Sequence, residues 1–182
     1  MAGALVKLDQ VIASDVATVT LGDASNYSGS DNWSTDYNVY KIVVENYKNA
    51  SDNKFANFKF IDSGSTIVTG NYKVAQVAFK NNATYEDGYG VLNNGNLSGH
   101  GIGNDTAERL NAVVYLFAFN KSDKFSYATY ETSYMNTSGN LFGLAGGTVS
   151  TDGGEEVHKG VQFYSSSGNI ESGTFTLFGL SK

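Results

Sequence analysis

The chain has 182 residues, with 12 basic against 18 acidic side chains for a formal charge of −6, and contains neither cysteine nor proline. A single domain accounts for this length, and folding it would bury roughly 70% of the surface of the extended chain. Disulfides and thiolate metal sites are excluded, and with Arg109 the single arginine, the basic clusters that neutralise nucleic-acid phosphates are not in evidence.

Residues 16–21, Val-Ala-Thr-Val-Thr-Leu, open a series of strand-like runs, followed by a polar stretch over 22–36. The run at 37–45, Tyr-Asn-Val-Tyr-Lys-Ile-Val-Val-Glu, is β-branched and aromatic on both faces and predicts a central strand covered on two sides. Runs at 55–61 and 72–79 follow, and the Ser- and Gly-containing segment between them predicts a hairpin. Residues 81–105 are rich in Gly, Asn and Tyr and predict a long connection carrying one short strand.

The most hydrophobic run, Ala-Val-Val-Tyr-Leu-Phe-Ala-Phe at 112–119, is short enough for a fully buried strand. It pairs in expectation with 125–132 across the turn-like Asn-Lys-Ser-Asp-Lys at 120–124. A glycine-broken strand is expected at 141–149. Runs at 157–164 and 173–180 predict a final hairpin around Ser-Ser-Ser-Gly-Asn at 165–169. The closing stretch 170–180 places Phe175 and Leu177 on one face, and such an apolar strand persists only when stitched into a sheet and covered. One internal echo stands out: Phe60, Ile67, Thr69, Gly70, Tyr72 and Val74 share their spacing with Phe163, Ile170, Ser172, Gly173, Phe175 and Leu177.

No run shows a helical stripe. Eight or nine short strands in one domain over 1–182 predict an all-β antiparallel sandwich, jelly-roll-like or Ig-like, with a β-barrel as the rival. Without proline, the turns fall to 21 glycines and to Asn, Asp and Ser, which tolerate left-handed backbone or bond their own main chain. No apolar run reaches the roughly 18 residues that span a bilayer, and residues 1–12 lack the pattern of a signal peptide, so a soluble protein made without export is expected.

Catalysis needs a nucleophile with its base, a spaced carboxylate pair or converging metal ligands. The two histidines do not suggest such a set: His100 lies in a glycine-rich loop, and His158 is expected at a surface or edge position beside acidic neighbours. Glu155 and Glu156 are adjacent, so in a strand they face opposite sides and cannot work as a pair. The loop at 22–32 offers oxygen ligands but lacks the spacing of an EF-hand, and the turns at 88–90 and 100–103 lack a dinucleotide fingerprint. No catalytic, cofactor-binding or metal-ligating residue is assigned, and no cofactor is expected. Trp33, Tyr37, Tyr85, Tyr89, Tyr130 and Tyr134, with Tyr127, recur in or beside loops. They are the candidate interface, for a protein partner or as a platform for sugar rings.

The strand at 37–45 and the ending at 163–180, Phe-Tyr-Ser-Ser-Ser-Gly-Asn-Ile-Glu-Ser-Gly-Thr-Phe-Thr-Leu-Phe-Gly-Leu, resemble virion structural proteins of tailed phages that infect aquatic bacteria. The likeness extends loosely from 15–20 through 108–111 to the end, and its most specific element is Ser-Gly-Asn-Ile-x-Ser-Gly-Thr-Phe-x-Leu-aromatic-Gly at 167–179. Ala50-Ser-Asp52 departs from the family pattern, where a proline often follows the second strand. The resemblance implies a particle component without catalytic residues, assembled in the host cytoplasm and residing in the virion. A capsid-decoration or head-surface subunit is the first expectation; a tail-associated receptor- or glycan-binding module is the alternative. Expected partners are other virion proteins, the major capsid or tail subunits, and further copies of the chain, with neither nucleic acid nor membrane bound directly.

Overall fold

The computed structural model describes residues 4–22, 37–82, 85–151 and 155–181. Its strands are β1 (Leu5–Val16), β2 (Thr18–Leu21), β3 (Tyr37–Asn49), β4 (Ala56–Asp62), β5 (Tyr72–Lys80), β6 (Tyr85–Leu92), β7 (Gly95–Asn96), β8 (Leu110–Phe117), β9 (Tyr127–Met135), β10 (Leu141–Ser150), β11 (His158–Ser165) and β12 (Ile170–Ser181). They form an eight-stranded sheet, ordered β1-β12-β3-β8-β9-β10-β5-β6, and a four-stranded sheet, ordered β2-β11-β4-β7. The two sheets face each other as a sandwich and do not close into a barrel.

The pairings are nested. β1 pairs with β12, β2 with β11, β3 with β8, β4 with β7 and β5 with β6, all antiparallel. A long two-legged ribbon folded over itself in this way is the jelly roll, which decides between the two sandwich types expected from sequence. The hairpin β9-β10 is inserted between β8 and β11, and β10 pairs with β5 to widen one sheet to eight strands. The contact of β12 with both β1 and β3 stitches the closing strand into the large sheet, as its apolar face required.

Two expected hairpins are corrected by this topology. β4 and β11 lie side by side in the small sheet, whereas β5 and β12 lie in the large one, so neither β4-β5 nor β11-β12 is a pair. In each case the chain crosses from one layer to the other, because Phe60 and Phe163 must face Tyr72 and Phe175 across the core: the ring centroids lie 5.3 Å apart for Phe60–Tyr72 and 5.2 Å for Phe163–Phe175. The echo in the sequence therefore falls on symmetric places. β4 and β11 are the two central strands of the small sheet, and β5 and β12 each stand one strand in from an edge of the large sheet.

Other expectations shift less. The hairpin β8-β9 forms as anticipated. β1 is an additional strand ahead of residue 16, and the supposed long connection 81–105 holds two strands, β6 and β7. β3 is central, but its burial alternates: Tyr40, Ile42, Val44 and Tyr47 point into the core, while Val39, Lys41 and Val43 are half-exposed on the outer face.

The core is aromatic. Phe58 meets Tyr130 edge-on at 5.9 Å, and Phe60 meets Phe119 at 4.7 Å. Gly95 on β7 pairs with Phe58 on β4 and lies against its ring, where a Cβ would come 2.2 Å from Cζ, so glycine is required there. Asn53, Ser65 and Asn71 make turns at positive φ without proline, and Asp15 near the end of β1 and Asn46 at the register shift within β3 adopt the same backbone region. At Asp15 the chain drops from the large sheet to the small one, and Asn169 Nδ2 holds that corner by donating to the Asp15 carboxylate at 3.0 Å.

Candidate functional site

The outer face of the eight-stranded sheet carries the most extended exposed feature of the described residues. Register places Leu5, Leu180, Val39, Phe117, Tyr127, Val149, Lys73 and Val91 side by side, one from each strand from β1 to β6. Seven of the eight are apolar, and Leu5, Leu180, Phe117, Tyr127 and Val91 are exposed. Lone exposed hydrophobics are ordinary; a continuous row across a whole sheet is not.

Below this row the surface sinks into an open groove of about 360 Å³, lined by Lys73, Ala75, Tyr127, Thr129, Gly147 and Val149 among others. Its floor is low because β10 presents Gly147 outward, paired with Ala75 on β5 and Thr129 on β9. A Cβ on Gly147 would come no closer than 3.4 Å to its nearest neighbour, the Ala128 carbonyl oxygen. The glycine thus keeps the groove open, and the backbone does not demand it.

Of the aromatic candidates, Tyr85 is exposed and Tyr37 half-buried, packed edge-on at 6.0 Å against Tyr40. Tyr127 stands in the exposed row. Tyr130 and Tyr134 are corrections: both are fully buried. The alternation in β9 could have shown this, since Ala128, Tyr130, Thr132 and Tyr134 share one face while Glu131 lies on the other. Burial pushes both phenols well up, so they act as neutral hydrogen-bond donors. Tyr130 donates to Gln76 Oε1 at 3.1 Å, and Tyr134 donates to the Ser98 carbonyl and accepts from the His100 N–H. Tyr89 stands on β6 opposite Ala75. Trp33 and nearly all of the polar loop 22–32 lie outside the described residues.

A second, smaller cavity of about 140 Å³ lies at the mouth of the sandwich, between Gln76, Ala78, Glu86, Gly88, Gly99 and His100. His100 Nε2 is 2.5 Å from Glu86 Oε2, and its ring packs on Phe142 at 4.7 Å. An imidazole, a carboxylate and an amide thus converge on one small space, offering both donors and acceptors.

His158 corrects the surface expectation in a different way. It is 2% exposed, wedged between Phe60 and Phe119 at 5.3 and 5.5 Å, and its Nδ1 lies 2.8 Å from Ser126 Oγ. Nε2 faces Glu156 Oε1 at 3.5 Å. Burial pushes its pKa down to about 4, against the opposing pull of the Asp62 carboxylate and the Glu156 backbone. Serine, histidine and glutamate are the residue types of a hydrolase triad, but Ser126 is buried too, so a substrate carbonyl has no path to Oγ. The His158 backbone N–H donates to the Phe119 carbonyl at 2.8 Å and ties the start of β11 to the segment just after β8. Glu155 and Glu156 precede β11, so strand alternation does not separate them as expected. Among the described residues, no three His, Asp or Glu side chains converge as metal ligands.

No family model, curated protein or solved structure matches this chain.

Proposed function

We propose that the chain is a non-enzymatic structural protein of a phage virion, a subunit that decorates the head surface and docks on the capsid through the outer face of its eight-stranded sheet. The observation that carries this reading is the apolar row from Leu5 to Val91 with the groove beneath it. Eight strands at about 4.8 Å spacing and some 27 Å of strand length make a face of about 1,000 Å². That exceeds the roughly 800 Å² per partner of a standard specific interface. A modest affinity at each contact, repeated over a symmetric shell, gains strength by avidity.

The resemblance at 167–179 points the same way. So does the jelly roll by analogy, since capsid and lectin domains share it, although a fold alone does not assign a function. The test is to mix purified protein with undecorated capsids and image the particles. New density on the shell, with the large sheet turned towards it, is expected; bare shells at saturating protein would reject the proposal.

A receptor- or glycan-binding role on the tail is the second reading, favoured by the cavity at Gln76, Glu86 and His100. Its polar groups suit ring hydroxyls. Under that reading Glu86→Gln weakens binding on a glycan array and slows adsorption to host cells, and a blank array with unaltered adsorption disposes of it.

A further inference from the structure

The large sheet has two free edges, β1 on one side and β6 on the other. A free edge offers unpaired N–H and C=O groups to another strand unless something blocks it. The three most exposed large apolar side chains of the described residues lie on these edges: Ile12 at 75%, Tyr85 at 66% and Val91 at 63%. Because the sheet has eight strands, each antiparallel to its neighbour, the edge strands β1 and β6 run in opposite directions. A second copy set beside the first in the same orientation therefore brings β6 against β1 as an antiparallel pair.

Register then makes a specific match. Leu5 and Val91 are the two ends of the apolar row, so they would fall opposite each other. Ile12 lies seven residues beyond Leu5, but the bulge between Lys7 and Asp9 absorbs one of them, leaving six strand steps. Tyr85 lies six steps from Val91. The bulge brings Leu5 and Ile12 of β1 into step with Val91 and Tyr85 of β6.

We propose that copies of this chain assemble head-to-tail, β6 of one pairing with β1 of the next, with Leu5 opposite Val91 and Ile12 opposite Tyr85. The proposal deepens the reading of a many-copy particle component and leaves the outer face of the large sheet free for the shell. Such a contact is heterologous, and it closes into a ring where the rotation between copies permits.

The test uses the purified full chain. Native mass should be a multiple of 19.5 kDa at micromolar concentration, and a monomer overturns the proposal. Since the chain has no cysteine of its own, the variant carrying both Ile12→Cys and Tyr85→Cys should cross-link into a ladder on mild oxidation. The out-of-register pair Leu5→Cys with Tyr85→Cys should not. Disulfide dimers from Ile12→Cys or Tyr85→Cys alone would mean a two-fold contact between like edges and would also overturn it. Ile12→Glu and Tyr85→Lys should each yield monomers, and the two together should restore the assembly, because the opposite charges meet. Capsid binding is scored separately. Oligomers that ignore capsids leave the edge contact standing and sink the particle reading; monomers that coat capsids do the reverse.

Discussion

Burial of His158 beside Ser126 sets proton uptake against folding. In the unfolded chain its imidazole titrates near pH 6.5, and in the folded protein it is held down to about 4. The group's contribution is therefore complete above about pH 6.5 and is lost as pH falls towards 4, because the unfolded state then binds the extra proton. A difference of this size corresponds to at most ~3 kcal/mol. Denaturant midpoints at neutral pH and near pH 5 should show the wild-type chain weakening on acidification, and His158→Gln should flatten that slope. Equal slopes in the two proteins would mean that the imidazole is not buried neutral.

Strand β10 places two adjacent glycines in opposite environments. Gly147 opens outward onto the groove; Gly146 faces the core, where a Cβ would lie 2.7 Å from Gln76 Cβ and 2.9 Å from Tyr130. Substitution should separate stability from docking. Gly147→Glu is expected to hold stability within about 1 kcal/mol of wild type, since the added side chain enters open space. It should also abolish co-sedimentation with undecorated capsids by placing a charge in the apolar groove. Gly146→Ala is expected to destabilise by roughly 1–3 kcal/mol through overpacking while attachment survives. Retained attachment in Gly147→Glu would remove the groove from the docking surface.

At the scale of the whole molecule, β12 is the strand on which closure depends, lying between β1 and β3 while Phe175 packs against Phe163 and Tyr47 and Leu177 is buried in the core beside it. Phe175→Ala should cost about 3–5 kcal/mol, as for other fully buried phenylalanines. Phe178, half-buried on the outer face of the same strand, should cost clearly less when truncated. Equal losses in chemical unfolding would contradict the assignment of faces.

Local pattern determined a good deal here. Runs of alternating Val, Ile, Tyr and Phe between Asn-, Asp- and Gly-rich turns were enough to predict an all-β sandwich. They also predicted the β8-β9 hairpin and the burial of Phe175 and Leu177, because side-chain alternation and turn chemistry act over a few residues. Partners distant in sequence were not legible. The pairing of β12 with β1 and the layer crossings after β4 and β11 depend on which aromatic rings meet across the core. The same limit hid the apolar row, whose members come from eight strands and are separated by up to 175 positions, from Leu5 to Leu180. Tyrosines illustrate the division most plainly: composition marked Tyr85 and Tyr130 alike, and the packing of two sheets exposed one ring and sealed the other.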